Sequence, residues 1–123
     1  MQVFVAEVWC GLDAERLRPF HDALHACGAS LVDDPRSADA FVLPWTETAA
    51  IASHVQGLAV DAWNARRRSG RPQLFWLPIC SEPIPPGYHF YADAAIHLPR
   101  EFTEAARLIC RSNTSAAAPQ PLD

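Results

Sequence analysis

The sequence predicts a single α/β domain with three layers, in which a parallel sheet of four or five strands has helices on both faces. The first observation is the segment 74–80, a continuous apolar run, whereas a strand with one exposed face would alternate apolar and polar residues. Such a run is typical of the centre of a parallel sheet. The second observation is that further strand-like and helix-like segments follow one another along a chain of 123 residues, the length of one domain.

The first half of the chain contains three predicted strands and one predicted helix. Residues 2–8 are rich in Val and Phe and predict the first strand, which ends in a loop at 9–11. Residues 14–27 have apolar side chains at helical spacing, although Pro19 predicts a bend or an irregular first turn. The two further strands are predicted at 30–32 and 39–43.

The connection between the second and third predicted strands is too short for the usual crossover helix. Residues 34–38 span at most about 17 Å, whereas a parallel crossover normally takes a dozen residues or more. Either the segment 31–32 is an edge contact that turns at once into the next strand, or the second helix is reduced to a single turn at 35–38. We favour the first alternative, and in both the second helix is reduced or missing.

A long helix is predicted at 47–68, with Thr46 as its N-cap. At 100° per residue, Glu47, His54 and Asp61 fall along one flank of its apolar stripe, with successive members about 10 Å apart. If this flank faces a groove, Asp61 and Glu47 are the candidate catalytic residues, and partial burial would raise the pKa of Asp61. If it does not, the flank is the exposed polar border of an amphipathic helix.

Beyond the apolar run, the chain is predicted to turn, form a last strand and close with a helix. Residues 83–87 are rich in proline and predict a stiff turn. An aromatic connection at 88–91, a strand at 94–98 and a helix at 99–111 follow. Residues 112–123 lack apolar periodicity and predict a disordered tail, so the domain is expected to occupy 1–111.

The carboxyl ends of parallel strands meet at one edge of a sheet, and ligands of open α/β folds bind beyond that edge. We therefore expect a ligand site there. Its candidate ligand-binding residues are Trp9, Cys10, Trp45, His54, Cys80 and Pro85. A missing second helix would also leave the sheet near Leu31 and Phe41 without apolar cover, which predicts self-association or a partner protein at that flank.

The composition argues against several classes of function. A formal net charge of −4 disfavours nucleic acid as a partner, and the basic cluster at 66–71 is typical of a solvated helix end. No window approaches the roughly 18 apolar residues that cross a bilayer, so we expect a cytoplasmic protein without membrane contact. The four cysteines show neither metal-ligand spacing nor a disulfide pattern, so no metal site is predicted, and Cys27 and Cys110 are predicted core residues.

Four segments of the chain resemble the Toll/interleukin receptor (TIR) domain and its bacterial relatives, most strongly over 61–111. They are V-F-V at 3–5, S-G-R-P-Q-L-F-W-L-P-I-C-S-E-P-I-P-P-G at 69–87, A-I-H-L at 95–98 and F-T-E-A-A-R-L-I at 102–109. The resemblance implies a flavodoxin-like or TIR-like sheet, pairing through loops and helices in signalling, and NAD cleavage by a glutamate on the helix after the third strand. When positions are counted back from Ser69, Asp61 takes the place of that glutamate and Ala65 the place of its partner alanine. When they are counted forward from Pro44, the place of the glutamate falls nearer Gln56.

Two further resemblances imply an enzyme. Residues 29–60, with D-D-P-R-S-A-D-A-F-V-L-P-W, resemble the start of exostosin-like glycosyltransferases, in which a short Asp-Pro turn leads straight into a strand. In size and in the acidic residue on the long helix, the chain is similar to the nucleoside deoxyribosyltransferase-like family. The leading expectation is a TIR-like signalling or protein-interaction module that binds NAD or a derivative at the sheet edge. The alternative is an enzyme acting on a nucleoside or a nucleotide-sugar.

Overall fold

The computed structural model describes residues 1–6, 11–47, 53–81 and 83–117. The strands are β1 (Gln2–Val5), β2 (Ser30–Leu31), β3 (Ala40–Trp45), β4 (Gln73–Pro78) and β5 (Ile96–His97). The helices among these residues are α1 (Gly11–Ala26), α2 (Ser53–Ser69), α3 (His89–Ala94) and α4 (Phe102–Ala117), with 3-10 turns at Pro35–Ser37 and Pro86–Tyr88. All five strands are parallel and lie in the order β2-β1-β3-β4-β5, which confirms the predicted three-layer α/β fold.

The centre of the sheet is formed by β3 and β4, which pair along their whole length from Ala40 opposite Gln73 to Trp45 opposite Pro78. Every residue of β3 is buried. A strand in this position has neighbours on both sides and helices on both faces, so its sequence contains no polar alternation. The interpretation of the apolar run as a central strand is confirmed, because β4 lies between β3 and β5.

The two faces of the sheet bury separate apolar cores. One face is covered by α1 and α4, and its largest buried side chains are Val3, Leu17, Phe20, Leu24, Val42, Phe75, Leu77 and Ile109. The other face is covered by α2 and α3, and its largest buried side chains are Phe41, Leu43, Trp45, Val55, Leu74, Trp76, Tyr88 and Tyr91. Alternate residues of each strand therefore supply opposite cores, as the two-residue period of a strand requires.

Helix α1 continues through Pro19, which the sequence analysis treated as an obstacle. The helix begins at Gly11, eight residues before the proline, so the alternative that Pro19 lies in an irregular first turn is wrong. Proline removes the N–H that would bond the carbonyl of Glu15, one turn earlier. Both Pro19 and Glu15 are exposed, so water can bond that carbonyl.

The connection between β2 and β3, residues 32–39, contains no crossover helix, as predicted, but it does carry the chain across β1, and the expectation that it could not cross a neighbouring strand is wrong. Leu31 of β2 and Ala40 of β3 both pair with Val3 of β1, one from each side. The two strand ends are therefore level, and the connection covers about two strand spacings, roughly 10 Å, without returning along a strand. A single 3-10 turn at Pro35–Ser37, the alternative that we did not favour, replaces the second helix.

Three further boundaries differ from the predictions. Glu47 lies in a turn, and α2 is described only from Ser53, since residues 48–52 lie outside the described part of the chain. The predicted aromatic connection at 88–91 is helical, because Tyr88, Tyr91 and Ala92 have helical spacing and are buried together. Helix α4 continues beyond the predicted end at residue 111 as far as Ala117, and the rest of the predicted tail, 118–123, is outside the described residues.

Within the described segments, every helix is too short or too polar to span a membrane.

Candidate functional site

The carboxyl edge of the sheet is where three of the predicted site residues meet. The carbonyl of Trp45 at the end of β3 accepts hydrogen bonds from the backbone N–H groups of Ile79 and Cys80, both at 3.1 Å. Pro85 precedes the second 3-10 turn, and its carbonyl accepts from the N–H of Tyr88 at 3.0 Å. The ring of Tyr88 lies 5.0 Å from that of Trp45. Trp45 and Cys80 are thus in backbone contact at this edge, Pro85 is linked to Trp45 through Tyr88, and Trp9 and Cys10 lie outside the described residues.

Trp45 is a packing residue at this edge and is not among the described lining residues of the two grooves below. Only 2% of its surface is exposed, and its ring also contacts Trp76 at 4.8 Å. Burial raises the pKa of Tyr88 to about 12 and raises the pKa of Tyr91 well above its usual value. The Tyr91 hydroxyl lies 2.8 Å from the carbonyl oxygen of Phe75 and 3.1 Å from that of Phe41, so its one proton serves two acceptors. These aromatic rings form a rigid support beneath the edge.

An open groove lies beyond the carboxyl ends of β1 and β2, and we call it the edge groove. It has a volume of about 720 Å³ and is bordered by α1 on one side and by the start of α2 on the other. Its lining residues are Phe4, Val5, Arg18, His21, Leu31, Val32, Asp33, Pro35, His54 and Leu58. The groove exists because β2 ends at Leu31 and because a 3-10 turn stands where a second helix would fill the space.

The edge groove combines a basic rim with an apolar floor. Arg18 and His21 come from α1, His54 comes from α2, and Asp33 is the one carboxylate among the described lining residues. Arg18, Asp33 and His54 are exposed, and the apolar lining residues are half-buried. Phe4 stacks on Phe41 with ring centroids 5.3 Å apart, which fixes the orientation of this floor. The arrangement suits a ligand with a negatively charged part and a flat apolar part.

Glu47 lies close to the same edge but is held by an ion pair. Its carboxylate is 3.0 Å from the guanidinium of Arg16 on α1, and both side chains are partly exposed. The backbone N–H of Glu47 itself, and secondly Arg16, lower the pKa of this carboxyl. Glu47 is therefore ionised at neutral pH, and the ion pair connects α1 to the end of β3. Residues 48–52 separate Glu47 from the described part of α2, so the predicted flank is described only from His54 to Asp61.

Asp61 lies in a different groove, toward the amino ends of the strands. This amino-end groove has a volume of about 740 Å³. Its lining residues are Asp34, Pro35, Arg36, Ala38, Asp61, Ala62, Asn64, Ala65, Arg68, Ser69, Arg71 and Pro72. Asp61 is exposed and stands seven residues after His54, about 10 Å further along α2. It does not reach the groove at the carboxyl edge, and the position fits the polar-border alternative.

Two ion pairs of the protein lie at the amino-end groove and engage arginines that line it. Arg36 bonds Asp34 at 3.2 Å, and Arg71 pairs with Asp39, just ahead of β3. The backbone N–H of Arg36, and secondly its guanidinium, lower the pKa of Asp34. Two of the three arginines that line this groove are thus already engaged by carboxylates of the protein itself. A negatively charged ligand would have to compete with these partners.

The sheet near Leu31 and Phe41 was predicted to lack apolar cover and to dock a partner. At Phe41 it is covered by the chain itself. Phe41 is fully buried between Phe4 and Tyr91, so the expectation of exposed apolar sheet there is wrong. The physical reason is that the ring of Phe4 and helix α3 occupy the space above Phe41. Leu31 is half-buried in the wall of the edge groove.

Sequence analysis placed His54 in the site and missed Arg18, His21 and Asp33. The spacing of Arg18 and His21 could have indicated that they share one side of α1, because they are three residues apart and flank its buried stripe. Gln56, which the TIR resemblance also indicated, has another contact: its side-chain amide donates to the carbonyl of Gly87 at 3.1 Å. That bond ties α2 to the loop after β4.

Within the described segments, no three His, Cys, Asp or Glu side chains are grouped so that they could hold a metal ion. Comparison with protein-family models, with curated proteins and with solved structures finds no match to the chain.

Proposed function

We propose that the chain is a TIR-like signalling or protein-interaction module that binds a nucleotide, such as NAD or one of its derivatives, in the edge groove. The strand order supports this location. From β1 the chain goes first to β2 on one side and then to β3 on the other, and the groove lies at the carboxyl ends beside this reversal. Nucleotides bind to open parallel sheets at such a position.

The single observation behind the proposal is that three basic side chains from two helices face one groove: Arg18, His21 and His54. A guanidinium binds phosphate through two parallel hydrogen bonds, and neighbouring imidazoles add further donors. Phe4 and Leu58 offer apolar surface for a base. Asp33 supplies a carboxylate acceptor of the kind that bonds ribose hydroxyls in nucleotide sites.

The proposal is tested by isothermal titration calorimetry of the full chain with ADP-ribose and NAD, and with adenosine as the ligand that lacks phosphate. We expect both phosphate-containing ligands to bind and adenosine to bind at least tenfold more weakly. Arg18→Ala should weaken ADP-ribose binding by about tenfold, which corresponds to about 1.4 kcal/mol. Arg100→Ala, the same change at an exposed arginine outside the groove, should leave binding within about twofold, since an isolated surface charge contributes little.

Two outcomes would refute nucleotide binding in the edge groove. One is the absence of heat with ADP-ribose and NAD at millimolar ligand. The other is an equal loss of affinity in Arg18→Ala and Arg100→Ala, because that would show an unspecific charge effect. Pairing with a second copy or a partner protein is part of the same proposal, and sedimentation velocity with and without ADP-ribose measures it.

The second candidate is an enzyme acting on a nucleoside or a nucleotide-sugar. It is favoured by Glu47, a carboxylate with a lowered pKa at the carboxyl edge of the sheet. An ionised carboxylate can stabilise the positive charge that develops on a sugar ring when its glycosidic bond breaks. Incubation with NAD, followed by chromatography of released nicotinamide, separates the two candidates. Turnover that is lost in Glu47→Gln would establish the enzyme, whereas binding without any turnover leaves the module.

A further inference from the structure

Helices α1 and α4 lie side by side on one face of the sheet and run in the same direction. The rings of Phe20 on α1 and Phe102 on α4 are in contact, with centroids 5.8 Å apart. Cys27 follows Phe20 by seven residues, and Cys110 follows Phe102 by eight. At a rise of about 1.5 Å per residue, the two cysteines lie about 10.5 Å and 12 Å beyond the ring contact. The helix pairing therefore places both cysteines at the same level.

The two thiols are in contact. The Cys27 side chain lies near enough to Cys110 to raise the pKa of its thiol, and neither cysteine is in a disulfide. Cys27 stands directly after α1, where its N–H still donates to the carbonyls of Ala23 and Leu24, each at 3.1 Å. It is exposed, whereas Cys110 is half-buried against the core beneath α1 and α4. The prediction that both are core residues is wrong for Cys27, because the helix ends before its side chain is covered.

We propose that Cys27 and Cys110 are a reversible redox pair that forms an intramolecular disulfide in the presence of a small-molecule disulfide. The exposed Cys27 thiolate attacks the small disulfide, forms a mixed disulfide and releases one thiolate. Cys110 then loses its proton and attacks the Cys27 sulfur, releasing the second thiolate. The protein loses two protons and two electrons in total, and the small disulfide is reduced to two thiols.

The different environments of the two sulfurs assign these roles. A solution oxidant reaches Cys27 first, because Cys27 is the exposed member of the pair. Burial, and secondly the neighbouring Cys27, raise the pKa of the Cys110 thiol, which suits the thiol that reacts second. An accessible thiol beside a resolving thiol is the usual arrangement of a redox-sensitive pair. Cys80 packs against the opposite face of the sheet and does not compete.

Closure of the pair would link the end of α1 to the middle of α4, across 83 residues of the sequence from residue 27 to residue 110. A cross-link over such a span restricts the unfolded chain strongly. We therefore expect the oxidised protein to melt at a Tm roughly 10 °C higher than the reduced protein. Addition of a dithiol reductant should reverse the difference.

The test uses the reduced full chain, incubated with oxidised glutathione, blocked with an alkylating reagent and digested with trypsin. Each cysteine falls in its own peptide, because arginines separate them: 1–16, 17–36, 69–100 and 108–111. We expect a cross-linked species of 17–36 with 108–111, a loss of two titratable thiols, and a protein that remains monomeric on a non-reducing gel. Cys80→Ser should give the same cross-link.

Cys27→Ser and Cys110→Ser should each abolish the cross-link while circular dichroism shows an unchanged fold. Accumulation of a mixed disulfide on Cys27 with a free Cys110 would overturn the proposal, because it shows that the oxidant arrives and the pair does not close. A cross-link through 69–100 or 1–16, or between two molecules, would also overturn it. Should either serine variant fail to fold, the peptide map of the unaltered chain alone decides.

Discussion

The two tyrosines are the clearest case of single residues whose chemistry the fold changes. Tyr88 and Tyr91 are the only tyrosines in the chain, and both are buried among other aromatic rings. Tyr91 keeps its hydroxyl bonded to two backbone carbonyls, so its burial leaves no polar atom without a partner. Folding raises the pKa of both phenols, to about 12 for Tyr88 and well above the usual value for Tyr91.

This has a direct consequence for stability at high pH. In the unfolded chain a tyrosine ionises near its usual pKa of about 10. The folded state holds these protons to higher pH, so the stabilisation is complete below pH 10 and is lost as the pH rises from about 10 to 12. The 10 residues that are lysine or arginine are all arginine, so no lysine titrates in this window.

We therefore expect no tyrosinate absorbance near pH 10 in the folded protein, and a rise above about pH 11 together with loss of the circular dichroism signal. The chain unfolded in urea is the control and should titrate near pH 10. Tyrosinate that appears near pH 10 while the circular dichroism is unchanged would show that at least one of the two phenols is not buried.

Single residues of the site could be predicted from the sequence only where they lie at the end of an apolar strand. Trp45 and Cys80 were placed at the correct edge, because each follows an apolar strand. Whether a side chain at that edge points into a groove or into the core depends on packing between distant elements, here on Tyr88 and Trp76. For this reason Trp45 was assigned to the ligand, whereas Arg18 was not considered.

At the scale of elements, helix α1 is the one whose local sequence opposes its structure. Pro19 lies inside a helix of 16 residues. Helices in proteins are stabilised mainly by packing of their apolar face, and Leu17, Phe20 and Leu24 on that face are fully buried. The apolar stripe therefore decides the structure, although the proline removes one backbone hydrogen bond.

Replacement of this proline should stabilise the protein. We expect Pro19→Ala to raise the free energy of unfolding by roughly 1–3 kcal/mol, because alanine restores the hydrogen bond to Glu15 and has the best helix propensity. Urea unfolding followed by circular dichroism measures the change. Asp22→Ala, at another exposed position of the same helix, should change the free energy by less than about 0.5 kcal/mol. If Pro19→Ala does not stabilise the protein, the proline must contribute to packing or to a bend that the helix needs.

The crossing from β2 to β3 could not be predicted from lengths alone. A length argument assumes that the chain must return along a strand, and β2 is only two residues long. The register, with Leu31 and Ala40 on either side of Val3, removes that requirement. Sequence analysis located the irregularity at the correct residues, since the Asp-Pro turn is visible, but the register is a property of the assembled sheet.

At the scale of the whole molecule, order should decrease from the centre of the sheet outward. Strands β3 and β4 have partners on both sides, are six residues long and are buried on both faces. Strands β2 and β5 are two residues long and lie at the edges. Backbone groups in the centre exchange only when both cores open, whereas an edge strand can separate alone.

Hydrogen exchange followed by mass spectrometry tests this order. We expect the slowest amides in β3 and β4 and exchange at least about tenfold faster in β2 and β5, corresponding to a difference of about 1.4 kcal/mol in opening free energy. The amides of β1 should be intermediate. Equal protection of β2 and β3 would mean that the crossing segment holds the edge strand as firmly as the centre.

The turn at Pro35–Ser37 borders two grooves, because Pro35 lines both the edge groove and the amino-end groove. A ligand that pushes this turn outward in one groove reshapes the other. Occupancy of the two grooves is then thermodynamically linked, and each ligand would change the affinity of the other by the same factor. The 3-10 turn that replaces the second helix thus separates the edge groove from the amino-end groove, which lie at opposite ends of α2.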